Sequence, residues 1–141
     1  MSTIKVFPVG TEFDKSKNKW KKYPRIGKGV NWQTYDASED ELSASTNIGI
    51  VIPRGVMIID LDTDKGVTCA DVETALGCVL GWDAAELQQT ISGGYHYGFR
   101  IPDNVVIRQG SNLLGVTGFD TRTTGKGWIC SGKGYTSSGF E

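Results

Sequence analysis

The segment of residues 56–62 (VMIIDLD) restricts the fold of this chain more than any other, because a buried apolar run ends in two carboxylates separated by one leucine. Side chains alternate between the two faces of an extended strand. Asp60 and Asp62 therefore share one face, while Ile59 and Leu61 point into a core. The segment predicts a strand inside a sheet, with two acids on one surface.

Two adjacent carboxylates at the end of a buried strand repel each other and lose hydration unless a positive charge lies near them. A divalent cation such as Mg²⁺ or Mn²⁺ meets this need, since it prefers oxygen ligands and usually binds one or two carboxylates together with substrate phosphates. The alternative is a polar turn, in which the two acids lead into the loop residues Asp64, Lys65 and Gly66. The segment alone leaves both interpretations open.

The chain has 141 residues, the size of one domain with a single active centre. Its three cysteines are widely spaced and form no CxxC pair, so they predict neither a disulfide framework nor a zinc site. No apolar run approaches the ~20 residues that span a bilayer, and the N-terminus has no signal-peptide pattern, so a cytoplasmic protein without a membrane partner is expected. The one histidine, His96, excludes sites that need two imidazoles within the chain.

A basic and aromatic window covers residues 15–32, although the net charge of the chain is only −1. It contains no acid and holds seven of the fifteen Lys and Arg residues, which are Lys15, Lys17, Lys19, Lys21, Lys22, Arg25 and Lys28. Lysines that neutralise phosphates beside aromatic rings that stack on bases are typical of a single-stranded nucleic-acid groove. The candidate DNA-binding residues are Lys19, Lys21, Lys22, Arg25, Lys28 and Trp32. The alternative is a solvated loop with its tryptophans packed inward.

The rest of the chain alternates between short strand and helix patterns. Apolar and β-branched runs predict strands at residues 4–9, 47–52, 90–101, 104–107, 119–122 and 128–130. Capping residues and helical spacing predict helices at residues 39–44, from residue 68 to about residue 80, and at residues 84–88. The short Pro53-Arg54-Gly55 turn predicts a hairpin between the strand at residues 47–52 and the aspartate strand.

The strand at residues 90–101 has two different faces. Alternation places its large apolar residues toward a core and places His96 and Arg100 on the other face. Gly93 and Gly94 precede them and permit close approach of a ligand or of another backbone segment. A structural or merely exposed role is the alternative for a lone histidine.

The strand at residues 119–122 repeats this pattern, with Asp120 and Arg122 on one face. If the three polar strands are neighbours in one sheet, three carboxylates, one imidazole and several cations line a concave surface. This set of groups is typical of metal-dependent phosphoryl or nucleotidyl transfer, in which two divalent ions bind the attacking and leaving oxygens.

Three blocks occur in order along the chain, and they are NIGIVIPRGVMIIDLD, SGGYHYGF and GFDTRTTGKGWI. They resemble the signature blocks of the archaeo-eukaryotic primase superfamily, in particular the bifunctional DNA primase/polymerase (prim-pol) domains of phage and plasmid replication proteins. Asp60 and Asp62 match the DxD strand of that family, residues 92–96 resemble its SxH-like block, and Asp120 matches its third-strand acid. PVG, KYPRIGKGVNWQ and NIGI also resemble its N-terminal run, so the resemblance covers most of the chain.

The resemblance implies an α+β fold, in which an RRM-like antiparallel sheet has helices packed on one face and carries an N-terminal α/β extension. It implies a metal-dependent nucleotidyltransferase, a DNA primase/polymerase of phage or plasmid replication, with two Mg²⁺ or Mn²⁺ ions bound by Asp60, Asp62 and Asp120. The nucleotide-binding residues that it implies are His96 with Ser92, Gly93 and Gly94 of the SxH-like block. Arg122, on the Asp120 face, and Lys126 are further candidate phosphate contacts. The expected partners are single-stranded template DNA, ribo- or deoxynucleoside triphosphates, and a helicase domain or replisome protein.

Some features depart from this family pattern. Relatives often have a proline and a serine after the third strand, whereas Cys130 and Ser131 occur here without a proline. Their domains usually run further, so the chain is expected to be a trimmed catalytic core, a small stand-alone relative or a derivative of reduced activity. The alternative function is a catalytically reduced module that binds single-stranded DNA or nucleotides. A nucleotide hydrolase is disfavoured, because the chain has no GxxxxGK[ST] loop.

Overall fold

The computed structural model describes residues 4–91, 93–102, 108–133 and 135–137, with residues 20, 136 and 137 described by their backbone only. The chain forms two compact units, Met1–Val51 with Trp128–Lys133, and Ile52–Gly127 with Gly134–Glu141. Each unit contains one antiparallel sheet and few helices. The predicted α+β class is confirmed, and the single-domain organisation stays a prediction.

In chain order the strands and helices are β1 (Val6–Asp14), β2 (Lys19–Pro24), α1 (Glu39–Ala44), β3 (Asn47–Val51), β4 (Val56–Leu61), α2 (Cys69–Leu76), α3 (Trp82–Ala85), β5 (Glu86–Gln89), β6 (Tyr95–Arg100), β7 (Phe119–Thr123), β8 (Trp128–Gly132) and β9 (Thr136–Ser137). Short 3₁₀ turns occur at Thr63–Lys65 and Leu113–Gly115.

The first unit has the strand order β2-β1-β3-β8. The register of β1 with β3 covers Val6 to Val9, and its register with β2 covers Val9 to Asp14. Beyond the β3 pairing, β1 and β2 therefore continue as a two-stranded ribbon, which we call the β1–β2 ribbon (residues 10–23). The helix predicted at residues 39–44 is confirmed as α1, and the side chain of its N-cap, Ser38, accepts a hydrogen bond from the backbone N–H of Glu41 (3.1 Å).

The second unit has the strand order β7-β4-β6-β5-β9. Both β4 and β5 pair antiparallel with β6, so they run parallel to each other with β6 between them. The helix α2 lies in the connection from β4 to β5. This arrangement is a split βαβ unit.

The core of the second unit lies on one face of its sheet. Ile59, Leu61 and Phe119 from the strands pack with Val72 of α2 and Ala85 of α3 in one buried cluster. The predicted alternation of the aspartate strand is confirmed, because Ile59 and Leu61 are almost fully buried there. The helices thus cover this face, and the polar residues of the same strands point to the other.

Several predicted elements differ from the structure. The hairpin between β3 and β4 is wrong, because β3 pairs with β1 and β8 whereas β4 pairs with β6 and β7 in the other sheet. The helix at residues 84–88 is also wrong, since α3 ends at Ala85 and residues 86–89 form β5. The helix from residue 68 ends at Leu76, because Gly77 adopts a left-handed conformation there (φ 75°). The strand predicted at residues 104–107 lies outside the described residues.

A capping box fixes the start of α2, the helix behind β4. The side chain of Thr68 accepts from the backbone N–H of Asp71 (3.2 Å), and the Asp71 carboxylate accepts from the N–H of Thr68 (2.9 Å). Thr68→Ala removes one of these bonds and should lower the free energy of unfolding by about 1 kcal/mol in urea denaturation. Thr74→Ala, in the same helix, keeps both cap bonds and should change it by less than about 0.5 kcal/mol. Equal effects of the two substitutions would contradict the capping role.

Candidate nucleotidyl-transfer site

Four polar residues form one row across the second sheet. Asp120 of β7 lies opposite Asp60 of β4, Asp60 lies opposite His96 of β6, and His96 lies opposite Gln88 of β5. Directly opposite residues of antiparallel strands point to the same face, with Cβ atoms about 4.5–5.5 Å apart. We call these four residues the polar row. The expectation that Asp60, His96 and Asp120 lie on neighbouring strands is thus confirmed.

Asp60, in the middle of the row, is half-buried and has two nitrogen-bearing neighbours. Its Oδ2 atom lies 3.4 Å from Nε2 of His96 and 3.7 Å from Nη2 of Arg122. Arg122 lies two residues beyond Asp120 on β7, on the same face of the sheet. The guanidinium group of Arg122 therefore supplies part of the positive charge that Asp60 and Asp120 require.

His96 is buried, with a relative exposure of 6%. It points to the face that alternation predicted, but it is enclosed on that face rather than open to solvent. Its Nδ1 atom lies 2.7 Å from Nε2 of Gln88, which is also fully buried. The imidazole thus has Gln88 on one side and the Asp60 carboxylate on the other.

Asp120 is held by the loop that precedes its strand. Its Oδ1 atom accepts a hydrogen bond from the backbone N–H of Asn112 (2.8 Å), and the side chain of Asn112 accepts one from the N–H of Gly118 (2.9 Å). These hydrogen bonds fix the position of the Asp120 carboxyl against the loop.

Asp62 follows the last residue of β4 and belongs to a turn. Its backbone N–H donates to the carbonyl of Gly118 (2.9 Å), and its Oδ2 atom lies 3.4 Å from Nζ of Lys65. A hydrogen bond with the Asp64 carboxyl raises the pKa of Asp62, and burial and the negative charge of Asp64 act in the same direction. The polar-turn alternative therefore describes the surroundings of Asp62, whereas Asp60 lies within the sheet.

The donor set bears directly on metal binding. Within residues 4–91, 93–102, 108–133 and 135–137, no group of three or more His, Cys, Asp and Glu side chains lies close enough together to hold a metal ion. The pair of Asp60 and Asp120 nevertheless supplies hard oxygen ligands on one face, and Mg²⁺ commonly takes one or two carboxylates together with substrate phosphates. These two residues fit such an ion. Asp62 fits it only if its carboxylate turns away from Lys65 and Asp64.

The other described residues of the predicted nucleotide site lie in turns at opposite ends of the sheet, so the structure does not bring them together. Gly93 and Gly94 form the turn between β5 and β6, where the carbonyl of Gly93 accepts from the Thr63 hydroxyl (3.0 Å). A Cβ atom on Gly94 would lie 2.6 Å from the carbonyl oxygen of Leu61, so this glycine allows a close approach of backbone to backbone. Lys126 is exposed in the turn after β7. Ser92 lies outside the described residues.

The basic window folds mainly into the β1–β2 ribbon. Lys19 and Lys21 alternate onto one face of β2 and Lys22 onto the other, and all three are exposed, as are Arg25 and Lys28. Two acids of β1 lie directly across from these lysines on the same face, Asp14 opposite Lys19 and Glu12 opposite Lys21. Nζ of Lys21 lies 3.8 Å from Oε2 of Glu12. The window without acids is thus partly neutralised by its partner strand.

Trp32 differs from these lysines. Its side chain is half-buried, and its ring centroid lies 5.9 Å from that of Phe7, a core residue of the first unit. The alternative of inward packing therefore describes Trp32, and its stacking on a base stays a prediction.

The fold and site together describe an α+β protein with paired acids, a buried imidazole and an arginine on one face of an antiparallel sheet. The chain belongs to the Prim-Pol family, the N-terminal domain of bifunctional DNA primase/polymerases, whose family model matches residues 2–136. The resemblance inferred from the three sequence blocks is thereby confirmed. Membership implies a DNA primase/polymerase nucleotidyltransferase that uses nucleic acid and nucleotides.

A comparison with curated proteins gave no match to the chain. In the part of the chain that the structure describes, no helix is both long and apolar enough to cross a membrane.

Gln88 is the one member of the polar row that the sequence interpretation missed. The sequence predicts a helix at residues 84–88 because Asp83 and Glu86 imitate a capping pattern. The Gly93-Gly94 turn was the available signal, since a strand that leaves a tight glycine turn commonly pairs with the residues before it. A hairpin prediction across this turn would have placed Gln88 on a strand that pairs with β6, although the five-residue loop at 90–94 sets the register.

Asp64 controls the pKa of Asp62 in this structure, so its replacement gives a direct test. In Asp64→Asn the like charge and the carboxyl–carboxyl hydrogen bond are lost, and the pKa of Asp62 should fall toward the ordinary value of 3.8. Carboxyl ¹³C shifts followed against pH measure this change. Asp83→Asn, at an exposed position, should leave the titration of Asp62 unchanged. An unaltered Asp62 titration in Asp64→Asn would show that the two carboxyls do not interact.

Proposed function

We propose that this chain is a metal-dependent DNA primase/polymerase that joins nucleoside triphosphates on a single-stranded DNA template. The observation that carries the proposal is the in-register pair of Asp60 and Asp120 on one face of the sheet, with His96 and Arg122 beside it. The sequence resemblance extends the proposal to phage or plasmid replication, with a helicase as a partner domain. The RRM-like description of the second sheet is part of it, supported by the order β7-β4-β6-β5 and the split βαβ unit.

The paired carboxylates are the proposed ligands of two Mg²⁺ or Mn²⁺ ions, with Asp62 as a third acid. Bound divalent ions supply positive charge that stabilises the phosphoryl group during transfer. This role explains why a protein that binds polyphosphates carries acids on the same surface. Acids alone would repel the substrate.

His96 and Arg122 are the proposed contacts for the triphosphate. A guanidinium group binds phosphate oxygens through two parallel N–H donors, and such charge-assisted bonds are stronger than neutral ones. Both side chains meet at Oδ2 of Asp60, so a phosphate that they bind lies next to that carboxylate. Gly93, Gly94 and Lys126, on the turns that flank β6 and β7, are the further proposed nucleotide contacts, and Ser92, outside the described residues, is proposed with them.

The paired acids can be tested by removing their charge without changing their shape. Asp60→Asn combined with Asp120→Asn should reduce nucleotide incorporation on a single-stranded template with Mn²⁺ by on the order of 10²-fold or more. Asp83→Asn, at an exposed aspartate outside the row, should incorporate nucleotides like the unaltered chain. Template binding measured by fluorescence anisotropy separates a loss of chemistry from a loss of affinity.

The same assay decides between the two functions considered. An unaltered chain that binds template and triphosphate but incorporates nothing would overturn the polymerase proposal. That result would favour the alternative, a catalytically reduced module that binds single-stranded DNA or nucleotides.

We further propose that the template contacts the β1–β2 ribbon and the cations that follow it. The support is the exposure of Lys19, Lys21 and Lys22 on a ribbon that extends beyond the β1–β3 pairing, with Arg25 and Lys28 exposed next in the chain. Exposed lysines on both faces allow a flexible strand to follow the ribbon through its phosphates. Trp32 is the proposed stacking residue, by the part of its ring that stays exposed.

The salt dependence of single-stranded DNA binding tests this interface. Each phosphate contact contributes about 0.7 to the slope of log K against log salt, so replacing Lys19, Lys21 and Lys22 by alanine should reduce the slope by about 2. Lys22→Ala alone should remove about 0.7, and Lys19→Ala with Lys21→Ala about 1.4. Lys133→Ala, an exposed lysine of the same unit, should leave the slope unchanged. An undiminished slope in the triple variant would remove the ribbon from the template path.

A further inference from the structure

We infer that Gln88 is a positioning residue that fixes the tautomer of His96, so that the neutral ring carries its hydrogen on Nε2 and presents it toward Asp60. The observation is the chain of contacts from Gln88 Nε2 to His96 Nδ1 (2.7 Å) and from His96 Nε2 to Asp60 Oδ2 (3.4 Å). Gln88 has a relative exposure of 0% and His96 of 6%, so both partners of the first contact are shielded from water.

The hydrogen-bonding roles of the two partners select one tautomer. A carboxylate oxygen only accepts, so the ring nitrogen that faces Asp60 must carry a hydrogen. In a neutral imidazole the other nitrogen then has a lone pair and needs a donor. The amide NH₂ of Gln88 is such a donor. The opposite tautomer would place a bare Nε2 lone pair against the carboxylate.

A β-bulge places Gln88 in this position. Glu86 pairs with Tyr97 and Gln88 pairs with His96, so two steps along β5 match one step along β6. Without the extra residue, Leu87 would lie opposite His96. Leu87 instead packs over Gly98, where a Cβ atom would lie 3.0 Å from its Cδ1 atom. Bulges commonly redirect a side chain in this way near functional sites.

The tautomer determines what His96 can bind. Phosphate oxygens at neutral pH are mainly acceptors, so the ring contacts a triphosphate through Nε2 only when that nitrogen carries a hydrogen. This consequence rests on the proposed nucleotide function, whereas the tautomer itself does not. Gln88 therefore acts on the substrate only through His96.

The single histidine makes the tautomer measurable without interference from other rings. Long-range ¹H–¹⁵N spectra of the ¹⁵N-histidine-labelled chain at pH 8 distinguish a nitrogen that carries hydrogen from one with a free lone pair. We expect hydrogen on Nε2 and a lone pair on Nδ1 in the unaltered chain. Hydrogen on Nδ1, either in the other tautomer or in an imidazolium ring, overturns the inference, and this measurement needs no variant to fold.

Variants separate the donor role of Gln88 from its packing. Gln88→Met keeps the length of the side chain but donates nothing, and it should give a mixture of the two neutral tautomers. Gln88→Glu offers an acceptor instead of a donor and should place a hydrogen on Nδ1. Gln89→Met, the same change at the neighbouring residue of β5, should leave the ring spectrum unchanged. A Gln88→Met spectrum identical to that of the unaltered chain overturns the positioning role.

A binding measurement then tests the consequence for the substrate. Gln88→Met should weaken the affinity for a nucleoside triphosphate roughly 2- to 10-fold, the worth of about one neutral hydrogen bond. If the tautomer changes and the affinity does not, the phosphate contact of His96 is wrong and the tautomer assignment stands. If triphosphate does not bind the unaltered chain at all, the proposed function fails, and the spectra still decide the role of Gln88.

Discussion

The second sheet depends on how the charge of Asp60 is balanced. Asp60 is half-buried in the middle of the sheet and faces another acid, Asp120, on the neighbouring strand. Two like charges on directly opposite residues repel each other, and an opposite charge close to one of them offsets part of that repulsion. Arg122 is thus close enough to offset the repulsion, and the N–H of His96 adds to the balance. The paired acids are tolerated because these neighbours accompany them.

This balance depends on strand register. Asp60, His96 and Asp120 share one face only because β4, β6 and β7 pair without a slip, and a shift of one residue would turn an acid into the core and a core residue outward. The core itself resists such a shift, since Ile59, Leu61, Tyr97 and Phe119 occupy the opposite face and pack against α2 and α3. Apolar burial on one face therefore holds the polar geometry of the other. Among the strand registers of β4 to β7, the register shifts at the bulge in β5. This bulge places Gln88 opposite His96.

The features that sequence predicts well here are those that depend on local periodicity. Alternation along residues 56–61 and 119–122 correctly assigned Ile59, Leu61 and Phe119 to the core, and it correctly placed Asp60 and Asp120 on the opposite face. The capping residues Ser38 and Thr68 correctly marked the starts of two helices. The features that it predicts poorly depend on contacts distant in sequence. The turn at residues 53–55 looks like a hairpin, but β3 and β4 each pair with strands that local pattern does not reveal. Asp62 lies just beyond β4, still in register with Gly118, and what local pattern does not reveal is that its carboxylate contacts Lys65 and Asp64 of the following turn.

The two proposed phosphate contacts differ in how firmly the protein holds them. Arg122 is about one-third exposed, and its pair with Asp60 at 3.7 Å is of a kind that contributes about 0–1 kcal/mol. Arg122 can therefore exchange its contact with Asp60 for a triphosphate with little loss of free energy, because charge-assisted hydrogen bonds to phosphate are stronger than this ion pair. His96 is different, since Gln88 holds the ring from behind through Nδ1, on the side away from Asp60. Its Nε2–H keeps its direction whether Asp60 or a phosphate accepts it. The site thus combines one contact that can change its partner with one whose orientation is built into the sheet.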